Sequence, residues 1–82
     1  MILQLVTVTW HDAQANATRE YAKARDHAPV TMYTVGWLMD HDEAGVSVCC
    51  ERFHDDGQWS YRGHTFVPAG MVVSVQPLPE TT

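Results

Sequence analysis

The chain has 82 residues, five Lys or Arg against ten Asp or Glu for a net charge of −5, 45% hydrophobic residues and two cysteines. That length suits one domain and argues against a second domain or a deep enclosed cleft, since so short a chain buries only about 60% of the surface its unfolded form exposes. The acidic balance disfavours long nucleic acid, whose affinity comes from Lys and Arg releasing phosphate counterions. A core this small barely offsets conformational entropy, and without a disulfide framework the expected support is self-association.

Position refines the charge. Through His27 the signs cancel, with Arg19, Lys23 and Arg25 against Asp12, Glu20 and Asp26, so the net negative charge falls later. Its main carriers, Asp40, Asp42, Glu43, Asp55 and Asp56, cluster beside glycines, as solvated hairpin tips do. Cys49 and Cys50 are adjacent, and neighbouring strand residues point to opposite faces. They read as reduced thiols, and the expected compartment is a cytoplasm. No stretch approaches the ~20 apolar residues of a membrane span. The opening residues have no basic lead-in, so they read as strand and not as a signal peptide.

Residues 2–10, ILQLVTVTW, are rich in β-branched and aromatic types and predict the first strand, with Val6, Val8 and Trp10 on one face. The composition then turns Ala-rich and polar over 14–25, where Asn16 or Thr18 can cap a short helix that Pro29 ends. Residues 30–39 return to strand character, placing Val30, Met32, Thr34 and Leu38 on one side and Tyr33, Val35, Trp37 and Met39 on the other. Both sides are apolar, so the second is expected to meet a helix or another subunit, and Tyr33, Val35, Trp37 and Met39 are the expected interface residues if it is a subunit. Gly36 in mid-strand suggests a bend, a bulge or close backbone approach.

An acidic connection at 40–45 leads to a third strand at 46–53, with Val46, Val48 and Cys50 read as inward. Asp56-Gly57 is favoured in tight turns that need positive φ, and 59–67 form the fourth strand. Pro68-Ala69-Gly70 has room for a single 3₁₀ turn before a fifth strand at 71–76, which Pro77 stops. The reading is mainly β: a single domain over 1–76, a tail at 77–82, and five strands closed into an SH3-like or Sm-like barrel with a short helix after the first, since closure removes free edges.

The chemistry is sparse. His11, His27, His41, His54 and His64 match no metal-ligand spacing, and no nucleophile elbow or phosphate loop occurs. The expectation is a non-enzyme with no cofactor, no metal and no catalytic residues. Aromatic residues beside basic ones say more. Trp59, Tyr61 and Phe66 alternate with Arg62 and His64, while Trp10 precedes His11-Asp12. Rings stack on bases and Arg or His meets phosphate. Trp10, His11, Asp12, Arg62, His64 and Phe66 are therefore the candidate ligand-binding residues, repeated at each interface if the subunits form a ring.

The runs Trp10-His11-Asp12-Ala13, Thr34-Val35-Gly36-Trp37-Leu38, and Gly63-His64-Thr65-Phe66-Val67-Pro68 followed by Gly70-Met71 resemble small uncharacterised phage and prophage proteins with an Sm-like or SH3-like barrel. The resemblance spans roughly residues 5–76. The chain departs from that pattern in its longer polar segment at 14–28 and in Cys49-Cys50, where small or aliphatic residues are expected. It implies a phage protein in the host cytoplasm that assembles as a homo-oligomeric ring. Proteins of this build bind nucleotides at pores and interfaces, so the expected ligand is a small nucleotide, sequestered as an anti-defence measure against a host immune signal. The alternative is a host-takeover module that inhibits a host protein; RNA binding in the manner of Sm proteins is third, held down by the charge.

Overall fold

The computed structural model describes residues 2–12 and 29–80. Five strands form one antiparallel sheet: β1 (Leu5–Asp12), β2 (Val30–Asp42), β3 (Gly45–Asp55), β4 (Gln58–Pro68) and β5 (Val72–Pro77). A 3₁₀ turn at Ala69–Met71 separates the last two, where the Pro-Ala-Gly run predicts it. The strand order is β4-β3-β2-β1-β5. The helix expected over 14–25 lies outside the described residues.

Two turns set the registers. At the β3–β4 tip Asp56 and Gly57 both have positive φ, 49° and 79°, the backbone the Asp-Gly pair was expected to supply. At the β2–β3 tip the Asp42 carboxylate accepts the Ala44 N–H at 2.8 Å, and Gly45 enters β3 at a φ of 152°. From these turns Asp55 faces Gln58 and Asp42 faces Gly45.

Among the described residues the buried hydrophobic core is small: Val6, Val8, Val46, Val48, Val67 and Cys49. Trp10, Leu38, Met71, Val72 and Val75 pack against its valines. In a flat sheet β1 and β4 would lie about 14 Å apart with two strands between them. Val67 of β4 nonetheless shares a cluster with Val6 and Val8 of β1, so the sheet is strongly curled. Gly36 permits that curl. It is buried, and a Cβ there would stand 2.6 Å from the Cys49 carbonyl oxygen, so only glycine lets β2 approach β3 this closely.

The curl stops short of a closed barrel. The sheet is open, with β4 and β5 as its edges, which corrects the expected closure. The β2–β3 ladder runs only from Asp42↔Gly45 to Trp37↔Cys49. Beyond it β3 and β4 continue as a two-stranded arm from Glu51↔Arg62 to Asp55↔Gln58, while the first half of β2 stays with β1. Pro68, the last residue of β4, has no N–H to extend pairing, and the 3₁₀ turn delivers the six-residue β5 to β1 instead.

The third strand also departs from simple alternation. Val46 and Val48 face inward as expected, but Cys49 is buried and Cys50 is exposed, the reverse of the expected order. The ladder shifts between Leu38 and Asp40, and Cys50 Sγ occupies the space where a Cβ on Gly63 would sit, at a positive-φ kink in β4. These irregularities turn the strand over where the core ends. Burial pushes the Cys49 thiol above its ordinary value of 9.0, and neighbouring Cys50 adds to the effect.

Two outcomes follow. A thiol reagent should label Cys50 at once and Cys49 only on unfolding; rapid labelling of both would contradict the assignment. Below pH 9 Cys49 is protonated in both states; above it the unfolded chain releases a proton that the folded chain retains, so its contribution to stability is lost as pH rises. Unfolding titrations of Cys49→Ala against the parent should show a flatter alkaline decline in the variant.

Candidate functional site

The six predicted ligand-binding residues divide between two parts of the sheet. Trp10, His11 and Asp12 end β1, opposite Met32, Thr31 and Val30. Trp10 is half-buried against the core and its Nε1 donates to Thr34 Oγ1 at 2.9 Å, a structural role. His11 is exposed and Asp12 half-buried. On β4, Arg62, His64 and Phe66 are all exposed, with β2 and β3 between them and β1 in strand order. Arg62 pairs with Glu51 at 3.3 Å and its guanidinium lies 5.2 Å from the Phe53 ring centroid. The two groups thus sit on strands separated by two others in the sheet order.

The predicted interface row is largely exposed. Tyr33 is 70%, Val35 52% and Met39 48% accessible. Trp37 is half-buried and belongs to the most organised cluster on the surface.

That cluster is assembled by the β3–β4 register. The turn at Asp56-Gly57 sets His54 opposite Trp59 and Arg52 opposite Tyr61, and the period of two puts all four on one face. Gly36, at the close crossing of β2 and β3, adjoins Trp37, whose ring meets the same face. The Arg52 guanidinium lies between two indoles, 4.8 Å from the Trp37 centroid and 4.3 Å from that of Trp59. His54 meets Trp59 edge-on at 4.9 Å, and Tyr61 lies 6.3 Å from Trp37. The Tyr61 hydroxyl accepts the Leu3 N–H at 3.1 Å, tying the N-terminal segment to this face.

Glu80 completes the arrangement. Its Oε1 accepts from Arg52 Nη2 at 3.1 Å and from Trp37 Nε1 at 3.3 Å. A guanidinium stacked on rings keeps its planar fork while its edge stays free to donate, and each such stack contributes about 0.5–1 kcal/mol when exposed. The cluster can hold a carboxylate; it has no nucleophile paired to a base.

Sequence reasoning missed Arg52 and Glu80. The Asp-Gly turn fixes the β3–β4 register, so Arg52 facing Tyr61 was available from spacing alone. Trp37 and Glu80 arrive from distant parts of the chain, and no local pattern announces them. Among the described residues no group of three His, Cys, Asp or Glu could hold a metal ion, and no helix is long and apolar enough to cross a membrane.

Comparison with protein-family models, with curated proteins and with solved structures finds no match.

Proposed function

We propose that this chain is a non-enzymatic, self-associating binding protein of the SH3-like or Sm-like type, and that its assembled form takes a small nucleotide-type ligand. The meander order with one 3₁₀ turn before the last strand supports the fold reading. The observation that carries self-association is the apolar row on β2, where Tyr33, Val35 and Met39 stand in solvent beside a core that counts six buried side chains among the described residues. A second copy covers that row and completes the burial that one chain lacks. The unlike open edges β4 and β5 add a route to a ring, because head-to-tail contact between different surfaces closes by rotation.

The ligand reading rests on Arg62, His64 and Phe66, all three exposed on β4. Arg62 and Glu51 are both well exposed, so their pairing contributes little and a phosphate can replace the carboxylate. Arg52 and Arg62 are the Lys/Arg residues among the described positions, and each holds a glutamate. A phosphate site therefore draws donors from several copies, as a ring provides. The resemblance to phage and prophage proteins extends this to sequestration of a host immune signalling nucleotide in the host cytoplasm.

A thermal-shift screen against cyclic dinucleotides, cyclic trinucleotides and ADP-ribose isomers tests the ligand half, since a ligand that binds only the native state raises its stability by mass action. We expect a shift of several degrees with one class, reduced by Arg62→Gln. No shift with any of them transfers the reading to a host-protein inhibitor that presents the acidic hairpin tips and an exposed ring such as Tyr33.

A further inference from the structure

Trp37, Arg52 and Trp59 form a site built to hold a carboxylate, and the chain fills it with its own tail. β5 leaves the sheet at Val6↔Pro77. Past that point the tail is held to β1 by the Leu78 N–H on the Leu5 carbonyl at 2.8 Å and by Gln4 Nε2 on the Leu78 carbonyl at 3.2 Å. Pro77 and Pro79 carry no N–H, so the segment cannot continue the ladder as a regular strand. Glu80 is thus held by its side chain, through two donors that converge on one oxygen.

The two ends of this contact are unequally fixed. Arg52 stacks on two indoles and faces Tyr61 in the ladder, contacts that do not pass through Glu80. Glu80 lies outside the sheet, three residues past the last strand pair at Pro77. Their side chains are only partly shielded, 23% and 29% accessible, which leaves the carboxylate a route out. A preorganised acceptor facing an exchangeable occupant is the arrangement of a binding site with an internal competitor.

We propose that this face binds a glutamate or aspartate on an extended segment of a partner protein, and that Glu80 blocks it in cis. The local chemistry favours such a partner against the chain's net charge of −5: the stacked Arg52 and the Trp37 indole N–H already hold one planar carboxylate, that of Glu80. Trp59, exposed with His54 against its edge, provides the apolar rim for a residue flanking that acid. The proposal does not use the Arg62 face, but Trp37 lies between Val35 and Met39, so the site borders the row proposed for self-association.

The probe is the acetylated, amidated peptide of residues 76–82, QPLPETT, titrated into the full chain and followed by tryptophan fluorescence and calorimetry. A tethered tail competes at an effective concentration of order millimolar. Glu80→Gln should therefore bind the peptide at least ~10-fold more tightly than the parent. A peptide carrying Gln for Glu should not bind. Arg52→Leu should abolish binding, and Arg52→Lys, which keeps the charge without the planar stack, should weaken it. Absence of binding to Glu80→Gln at millimolar peptide would reduce Glu80 to a staple and overturn the proposal. Equal binding to Arg52→Leu would do the same. A solution mass that depends on Glu80 would assign the site to a second copy's tail and remove the separate partner.

Discussion

Gly45→Ala should cost the fold about 3 kcal/mol or more, from left-region strain and overpacking together. Gly45 enters β3 at a φ of 152°, and a Cβ there would stand 2.2 Å from the Val67 carbonyl oxygen and 2.8 Å from the Phe66 ring. The carbonyl belongs to the paired strand and cannot swing aside as a flexible side-chain end would. Relief requires β3 and β4 to separate at Gly45↔Pro68, beside the core valines Val46 and Val67. Gly57→Ala is the internal comparison. Its φ is 79° but nothing lies within 4 Å of the added methyl, so only the left-handed penalty of about 1 kcal/mol applies. Urea unfolding of both variants measures the difference as a shift in midpoint at constant slope. Equal losses for the two would contradict the tight approach at Gly45.

The second large effect concerns assembly. Val35→Asp should weaken the proposed self-association at least ~10-fold, about 1.4 kcal/mol, while leaving the β-sheet spectrum intact. Val35 is 52% accessible and its strand pairing with Thr7 uses only backbone, so an aspartate costs the single chain little. Between copies the same residue would bury a charge, in a chain already carrying net −5. Sedimentation across a concentration series reads the change. An unaltered association constant would place the interface elsewhere, with the open β4 and β5 edges as the next surface to substitute.

Much of the sheet was legible because its punctuation is chemical. Asp56-Gly57 demanded a tight turn, the acidic run before Gly45 demanded another, and β-branched stretches between them could only be strands. The five expected segments match the observed strands to within three residues at every boundary. Alternation put Val6 and Val8 on one face and read Val46 and Val48 as inward, and all four are buried. Alternation failed at Cys49-Cys50, because the shift between Leu38 and Asp40 and the kink at Gly63 depend on how neighbouring strands meet. Closure was also overread: the sequence shows five strands able to curl, whereas the arm from Glu51 to Arg62 and the short β5 leave the edges apart.

The site was less legible than the fold. Sequence pattern drew attention to Arg62 and His64 because they alternate with aromatics, but the structure gives Arg62 an exposed glutamate partner. Arg52 was hidden by its neighbours, Glu51 and Phe53, which offer no aromatic alternation along β3. Its stacking partners come from β2 and β4, and its counter-ion from the C-terminal tail, so only the folded register unites them.

The central claim is that one copy of this chain is incomplete. The measurement that tests it most directly is the solution mass of the unmodified protein at micromolar concentration, by light scattering or native mass spectrometry. The account predicts a discrete multiple of the 9.2 kDa chain, with the Tyr33, Val35 and Met39 row covered. A single species of 9.2 kDa, unchanged on concentration, would contradict it.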